Sequence, residues 1–147
     1  MSGIVCAIRG GPHSQPTISM SIALAQETGQ PLYFLYVVNL DFLARTTSTR
    51  THTIDHEMEE MGEFILLEAQ NRAAEMGVAA EGLVRHGDIG QVITGLCKEL
   101  NAGYLVIGRP KLDEDEENVF THARLENFAN TIERQTGAKV IMPDKEE

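Results

Sequence analysis

VRHGDIGQVITGLCKELNAGYLVIGR, residues 84–109, is the stretch on which the fold turns. It closes on a short apolar run, Tyr104, Leu105, Val106, Ile107 and Gly108, of the length and composition of a buried strand. It opens on the tail of another strand-like run, AEGLVRH at 80–86. Between them Asp88 stands three residues before Gln91, an arrangement in which side chains satisfy the first free amides of a helix. Ile89, Val92, Ile93, Leu96 and Leu100 then recur at helical spacing and are expected to face a sheet. Strand, helix and strand in so short a space require a crossover between parallel strands.

The same alternation extends in both directions. IVCAI at 4–8, LYFLYVV at 32–38 and KVIM at 139–142 read as further strands. A first helix is expected to start near residues 14–16, where Ser14 suits a cap and Pro16 an early helical position. Its buried stripe would be Ile18, Ile22 and Ala25, and Gly29 would end it. A second helix, about 55–76, carries Met58, Met61, Ile65, Ala69, Ala73 and Met76 at helical spacing, a pattern read as adaptable core. A fourth runs from about 125 through Phe128 and Ile132 to Thr136, with Gly137 as its stop. Residues 40–54, rich in Thr, and 111–124, with the acidic run 113–117, read as irregular. With no internal repeat and no linker, residues 1–147 are expected to form one domain.

Composition narrows the function. A net charge of -10 opposes the electrostatic attraction that nucleic acid or an anionic membrane requires, so neither is an expected partner. No apolar run approaches the roughly 20 residues of a membrane span, and the N-terminus lacks the pattern of an export signal; a cytoplasmic protein is expected. Cys6 and Cys97 lie in apolar segments without metal-type spacing and read as buried free thiols. The pair His52 and His56, with Asp55 and Glu59 nearby, lacks a third distant ligand, and His52 is placed before the helix, so no metal site is assigned. The acidic run lacks the alternation and glycine of a calcium loop. Catalysis has little support: there is no nucleophile elbow, and Ser14 beside His13 is better read as a cap than as a nucleophile.

Taken together, IVCAIRGGPHSQPTISMSIALAQETGQPLYFLYVV, the 84–109 stretch and TIERQTGAKVIMP resemble the universal stress protein family over most of the chain. The resemblance implies a Rossmann-like α/β domain: a five-stranded parallel sheet of order 3-2-1-4-5 with helices on both faces. It also implies a homodimer through the last strand, here Lys139, Val140, Ile141 and Met142. Many members of that family bind ATP above strands one and four, using an Asp at the end of strand one and a Gly-x2-Gly-x9-Gly-[Ser/Thr] loop after strand four. In this sequence Arg9 matches the Asp, Gly108 the first glycine and Lys111 the second. Glu126 and Asn127 fall where the last glycine and hydroxyl belong, and seventeen residues, 109–125, separate them from Gly108 where the family has twelve.

These departures act against a triphosphate. A carboxylate about 4 Å from a phosphate oxygen, at an effective dielectric of about 20, costs about 4 kcal/mol, roughly a thousandfold in affinity. The expectation is therefore a non-enzymatic stress-response or regulatory domain that needs no cofactor and does not hold ATP in the family manner. One alternative is a member that retains ATP or AMP, with Val37, Val38 and Asn39 near the base. Another is a small anion held between Arg9 and Arg109, with Gly10, His13, Ser14, His86, Gly108 and Asn127 around the same crevice. The acidic run 113–117 could instead neutralise those arginines. The Thr-rich segment, with Arg45 and Arg50, reads as a solvent-exposed connection.

Overall fold

Nine elements alternate along the chain in the computed structural model, which describes residues 3–8, 14–38, 50–108 and 119–142, with side chains omitted at 50–55 and 119–126. They are β1 (Ile4–Ala7), α1 (Gln15–Thr28), β2 (Leu32–Val38), α2 (Arg50–Glu75), β3 (Ala80–His86), α3 (Ile89–Glu99), β4 (Tyr104–Ile107), α4 (Val119–Thr136) and β5 (Lys139–Ile141). The strands form a single sheet of order β3-β2-β1-β4-β5, parallel at every pairing. Strand one is central, with Ile4 opposite both Leu32 and Tyr104. The fold and strand order are those expected from the sequence.

Alternation along the strands divides the core into two layers, because successive side chains point to opposite faces. On one face Ile4, Cys6, Leu32, Phe34, Tyr36 and Val106 pack with Ile18, Ile22 and Ala25 of α1 and with Leu66, Ala69 and Ala73 of α2. On the other, Val5, Leu35, Leu105 and Ile107 pack with Ile93, Leu96 and Cys97 of α3 and with Ile132 of α4. Both faces of the inner strands are covered, which is why these strands are continuously apolar.

Helix termini follow local chemistry where the sequence is explicit. Asp88 is extended at the start of α3 and accepts the Gln91 amide at 3.0 Å, as its spacing predicts. Gly29, at φ 72°, ends α1 by donating its N–H to the Ala25 carbonyl at 2.8 Å. Ser14 occupies the cap position of α1 but makes no side-chain cap bond, because its own backbone is already helical at φ -85°, ψ -12° and turns the hydroxyl from the free amides.

Four further expectations are corrected. Helix α2 begins at Arg50, so residues 50–54 are helical and His52 lies within the helix, not before it. Helix α4 begins at Val119, six residues ahead of the expected start, so 119–124 are helical too. The expected stripe of α2 holds only in part: Ala69 and Ala73 are buried and Ile65 packs against the core, but Met61 is 57 % and Met76 54 % exposed. Gly62 and Leu66, outside that stripe, complete the face turned to the sheet. The reason is steric, since a Cβ on Gly62 would lie 2.9 Å from Cδ2 of the buried Tyr36 ring, so only the smallest residue lets the helix come this close. Ile89, finally, is 40 % exposed, whereas Cys97 takes a fully buried place on α3.

Candidate functional site

In an open parallel sheet, ligands lie beyond the carboxyl ends of the strands where strand order reverses, here between β1 and β4. The described part of that rim consists of the ends of β1 and β4, Gly108 and the first turn of α1. A Cβ built on Gly108 would meet Oγ1 of Thr17 at 2.8 Å, and Thr17 is buried at 2 % exposure. Packing of α1 against the end of β4 therefore accounts for glycine at 108 without any ligand. Below it, the Cys6 thiol donates to the Thr17 carbonyl at 3.8 Å, tying β1 to the same turn.

The remaining candidates are spread along the rim. Val38, the last residue of β2, is buried, and its carbonyl accepts the Gly87 amide at 3.1 Å. Val37 has the opposite orientation and joins the α3/α4 side of the core. His86 ends β3, three strands from β4, so at about 4.8 Å per strand it stands roughly 14 Å from Gly108. Its Nε2 pairs with Oε1 of Glu59 at 3.1 Å, a link between β3 and α2 that does not reach the β1/β4 crevice. Arg9, Gly10, His13, Asn39 and Arg109 lie outside the described residues, as do Lys111 and the acidic run 113–117.

Two positions expected at the phosphate loop occupy a different kind of backbone. Glu126 and Asn127 stand seven and eight residues beyond the first residue of α4. Only the first four amides of an α-helix lack a partner inside it, so amides this far along are committed to helical hydrogen bonds. Asn127 is exposed.

Neither cysteine is activated as a nucleophile. Burial pushes the Cys6 thiol up to about 12, opposed by a weaker hydrogen bond from Ser21, and burial alone pushes Cys97 up to about 11. Both thiols stay protonated at neutral pH. His56 pairs with Glu60 at 2.9 Å, and among the described residues no group of three or more His, Cys, Asp or Glu is placed to hold a metal ion. No helix of the described residues is long and apolar enough to cross a membrane.

Two contacts are not foreseen from the sequence, one of them at this rim. Thr17 follows Pro16 in the first turn of α1, and its position beside the apolar Ile18 was the available signal for a buried hydroxyl. The second is at the opposite sheet edge, where the Val140 amide of β5 donates to Oε2 of Glu133 at 3.0 Å.

The class so defined is an open, parallel α/β protein with its crevice beside the central strand. The sequence model of the Universal stress protein family matches residues 1–134, and the chain belongs to that family. Among solved structures it is similar to a universal stress protein family protein from Burkholderia pseudomallei, at 20 % identity over 97 % of this chain and 96 % of that one, with a TM-score of 0.71. It is also similar to UspA from Lactobacillus plantarum, at 14 % identity over 97 % of each chain and a TM-score of 0.75. A third is the universal stress protein from Archaeoglobus fulgidus in complex with dAMP, at 15 % identity over 98 % of each chain and a TM-score of 0.64. At these identities the likeness concerns the fold. Comparison with curated proteins gives no match.

Proposed function

We propose that this chain is a non-enzymatic, cytoplasmic member of its family that acts through stress-linked or regulatory protein contacts and does not hold ATP in the family manner. The observation that carries this reading is the depth of Glu126 and Asn127 inside α4. Amides engaged in a helix cannot also cradle phosphates, and the matching positions supply neither the glycine nor the hydroxyl of the family loop. Two protonated, buried thiols suit a reducing compartment and offer no covalent chemistry.

Two other readings compete for the crevice. The Archaeoglobus fulgidus relative in complex with dAMP favours an adenine nucleotide here. The pair Arg9 and Arg109 favours a small anion. Mass spectrometry of protein denatured after native purification, followed by calorimetry with ATP, AMP and inorganic phosphate, separates the three. The proposal expects no co-purified nucleotide and no heat with ATP at millimolar concentration. Saturable heat with ATP overturns it in favour of the nucleotide reading, and heat with phosphate alone favours the anion.

We also propose a homodimer through β5, which the topology leaves at a sheet edge with Val140, Ile141 and Met142 half-buried. An open edge is a template for a second strand. The Glu133 contact to the Val140 amide occupies one of its donors, so pairing with a second copy has to displace that carboxylate.

A further inference from the structure

Helix α2 presses Gly62, Leu66, Ala69 and Ala73 onto the sheet, and its outer side is left with a row of large apolar side chains. Met61, Phe64 and Leu67 are 57 %, 62 % and 54 % exposed. Residues three apart on a helix are surface neighbours, so the three form one continuous ridge with Phe64 at its centre. Exposed apolar residues scattered singly need no explanation, whereas a contiguous row marks an interaction surface.

Among the described residues of α2, the charges flanking this ridge are negative. Glu57, Glu60, Glu63 and Glu68 flank it and are all exposed. Arg72, the only Lys or Arg among the described side chains of α2, is turned toward α1, where it donates to Ser19 Oγ at 2.8 Å. His56, on the same side of the helix, pairs with Glu60.

We propose that this face is a docking site for a basic amphipathic helix of another protein, its apolar side covering Phe64 and its Lys or Arg residues meeting the flanking glutamates. The charge pattern selects this occupant. A second copy placed on the ridge by a two-fold axis sets carboxylates against carboxylates, and an anionic membrane is repelled in the same way. Packing of two amphipathic helices side by side, their apolar rows in contact and their charged flanks fixing orientation, is an established mode of recognition. The inference gives chemical content to the protein contacts proposed above, but it does not depend on whether the crevice is empty.

The test is fluorescence anisotropy of the full chain with a labelled Leu/Lys peptide of about 18 residues, five helical turns, written with one apolar side. A scrambled peptide of the same composition and a Leu/Glu peptide with the same apolar side serve as controls. Saturable binding is expected for the ordered Leu/Lys peptide alone. The Phe64→Ser, Leu67→Ser double variant should weaken it about tenfold or more, because apolar anchors at the centre of an interface carry most of its affinity. Glu60→Gln with Glu63→Gln should weaken it and flatten its dependence on salt. Phe64→Ala, which keeps high helix propensity at an exposed site, stands in if the double variant misfolds. Equal binding of the scrambled peptide, or of the Phe64 variants, overturns the proposal. So does self-association of the wild type by light scattering that Phe64→Ser abolishes, which would assign the ridge to a second copy.

Discussion

Replacing Gly108 by alanine asks whether that residue is glycine for packing or for a ligand. Its φ lies outside the left-handed region, so alanine meets no backbone strain there. The obstacle is the 2.8 Å separation between the new Cβ and Oγ1 of Thr17, a buried group with no room to retreat. Overpacking of this kind costs about 1–3 kcal/mol. Against it stands a gain of about 0.4–1 kcal/mol from the reduced freedom of the unfolded chain. The balance is a destabilisation of about 1 kcal/mol. In a Thr17→Ala background the obstructing oxygen is gone, and Gly108→Ala should then stabilise by roughly the unfolded-state gain alone. The coupling between the two sites is therefore expected to be about 1–2 kcal/mol, well above the few tenths seen for independent positions. Urea unfolding of the wild type, both single variants and the double variant, without nucleotide, measures it. Equal effects of Gly108→Ala in the two backgrounds would refute the packing explanation and return Gly108 to the ligand.

Other perturbations probe the remaining arguments. Gly62→Ala should destabilise by about 1 kcal/mol, since overlap with the base of the Tyr36 ring outweighs the helix-propensity gain, while Gly95→Ala, with nothing within 4 Å of its Cβ and solvent around it, should stabilise by about 0.5–1 kcal/mol; like signs in thermal unfolding would undo the argument for the α2 register. The Cys6 thiol, raised from 9.0 to about 12, keeps its proton in the folded state while the unfolded state releases it, so stability should fall as pH rises through that window. The fall approaches about 1.4 kcal/mol per pH unit, and a Cys6→Ala variant with the same slope from pH 9.5 to 11 would contradict it. Glu133→Ala frees the Val140 amide at the sheet edge and should lower the dimer dissociation constant in sedimentation equilibrium, whereas a raised constant would place Glu133 within the interface.

Much of this protein was legible along the chain itself. Five apolar runs separated by helical patterns dictated a parallel α/β sheet, since each run is the length of a strand and each interval holds one crossover. Asp88 and Gly29 marked helix ends because capping is chemistry between near neighbours in sequence. The expectation about the crevice rests on equally local information, Lys111 and Glu126 standing where the family resemblance implies glycine.

Three matters were decided only by tertiary structure. Helical spacing marked Ala69 and Ala73 correctly as core of α2 but also Met61 and Met76, which are exposed, while Gly62 meets the Tyr36 ring, because burial depends on how closely two surfaces can approach and not on apolar character alone. Helices α2 and α4 begin at Arg50 and Val119, inside segments whose polar composition reads as irregular and where no apolar stripe announces a start. Gly108, a plausible phosphate glycine by position, owes its lack of a side chain to a threonine 91 residues away in sequence, whose Oγ1 would lie 2.8 Å from any Cβ at 108. Sequence carries the interactions between neighbours along the chain, and only the folded molecule determines which distant surfaces must fit.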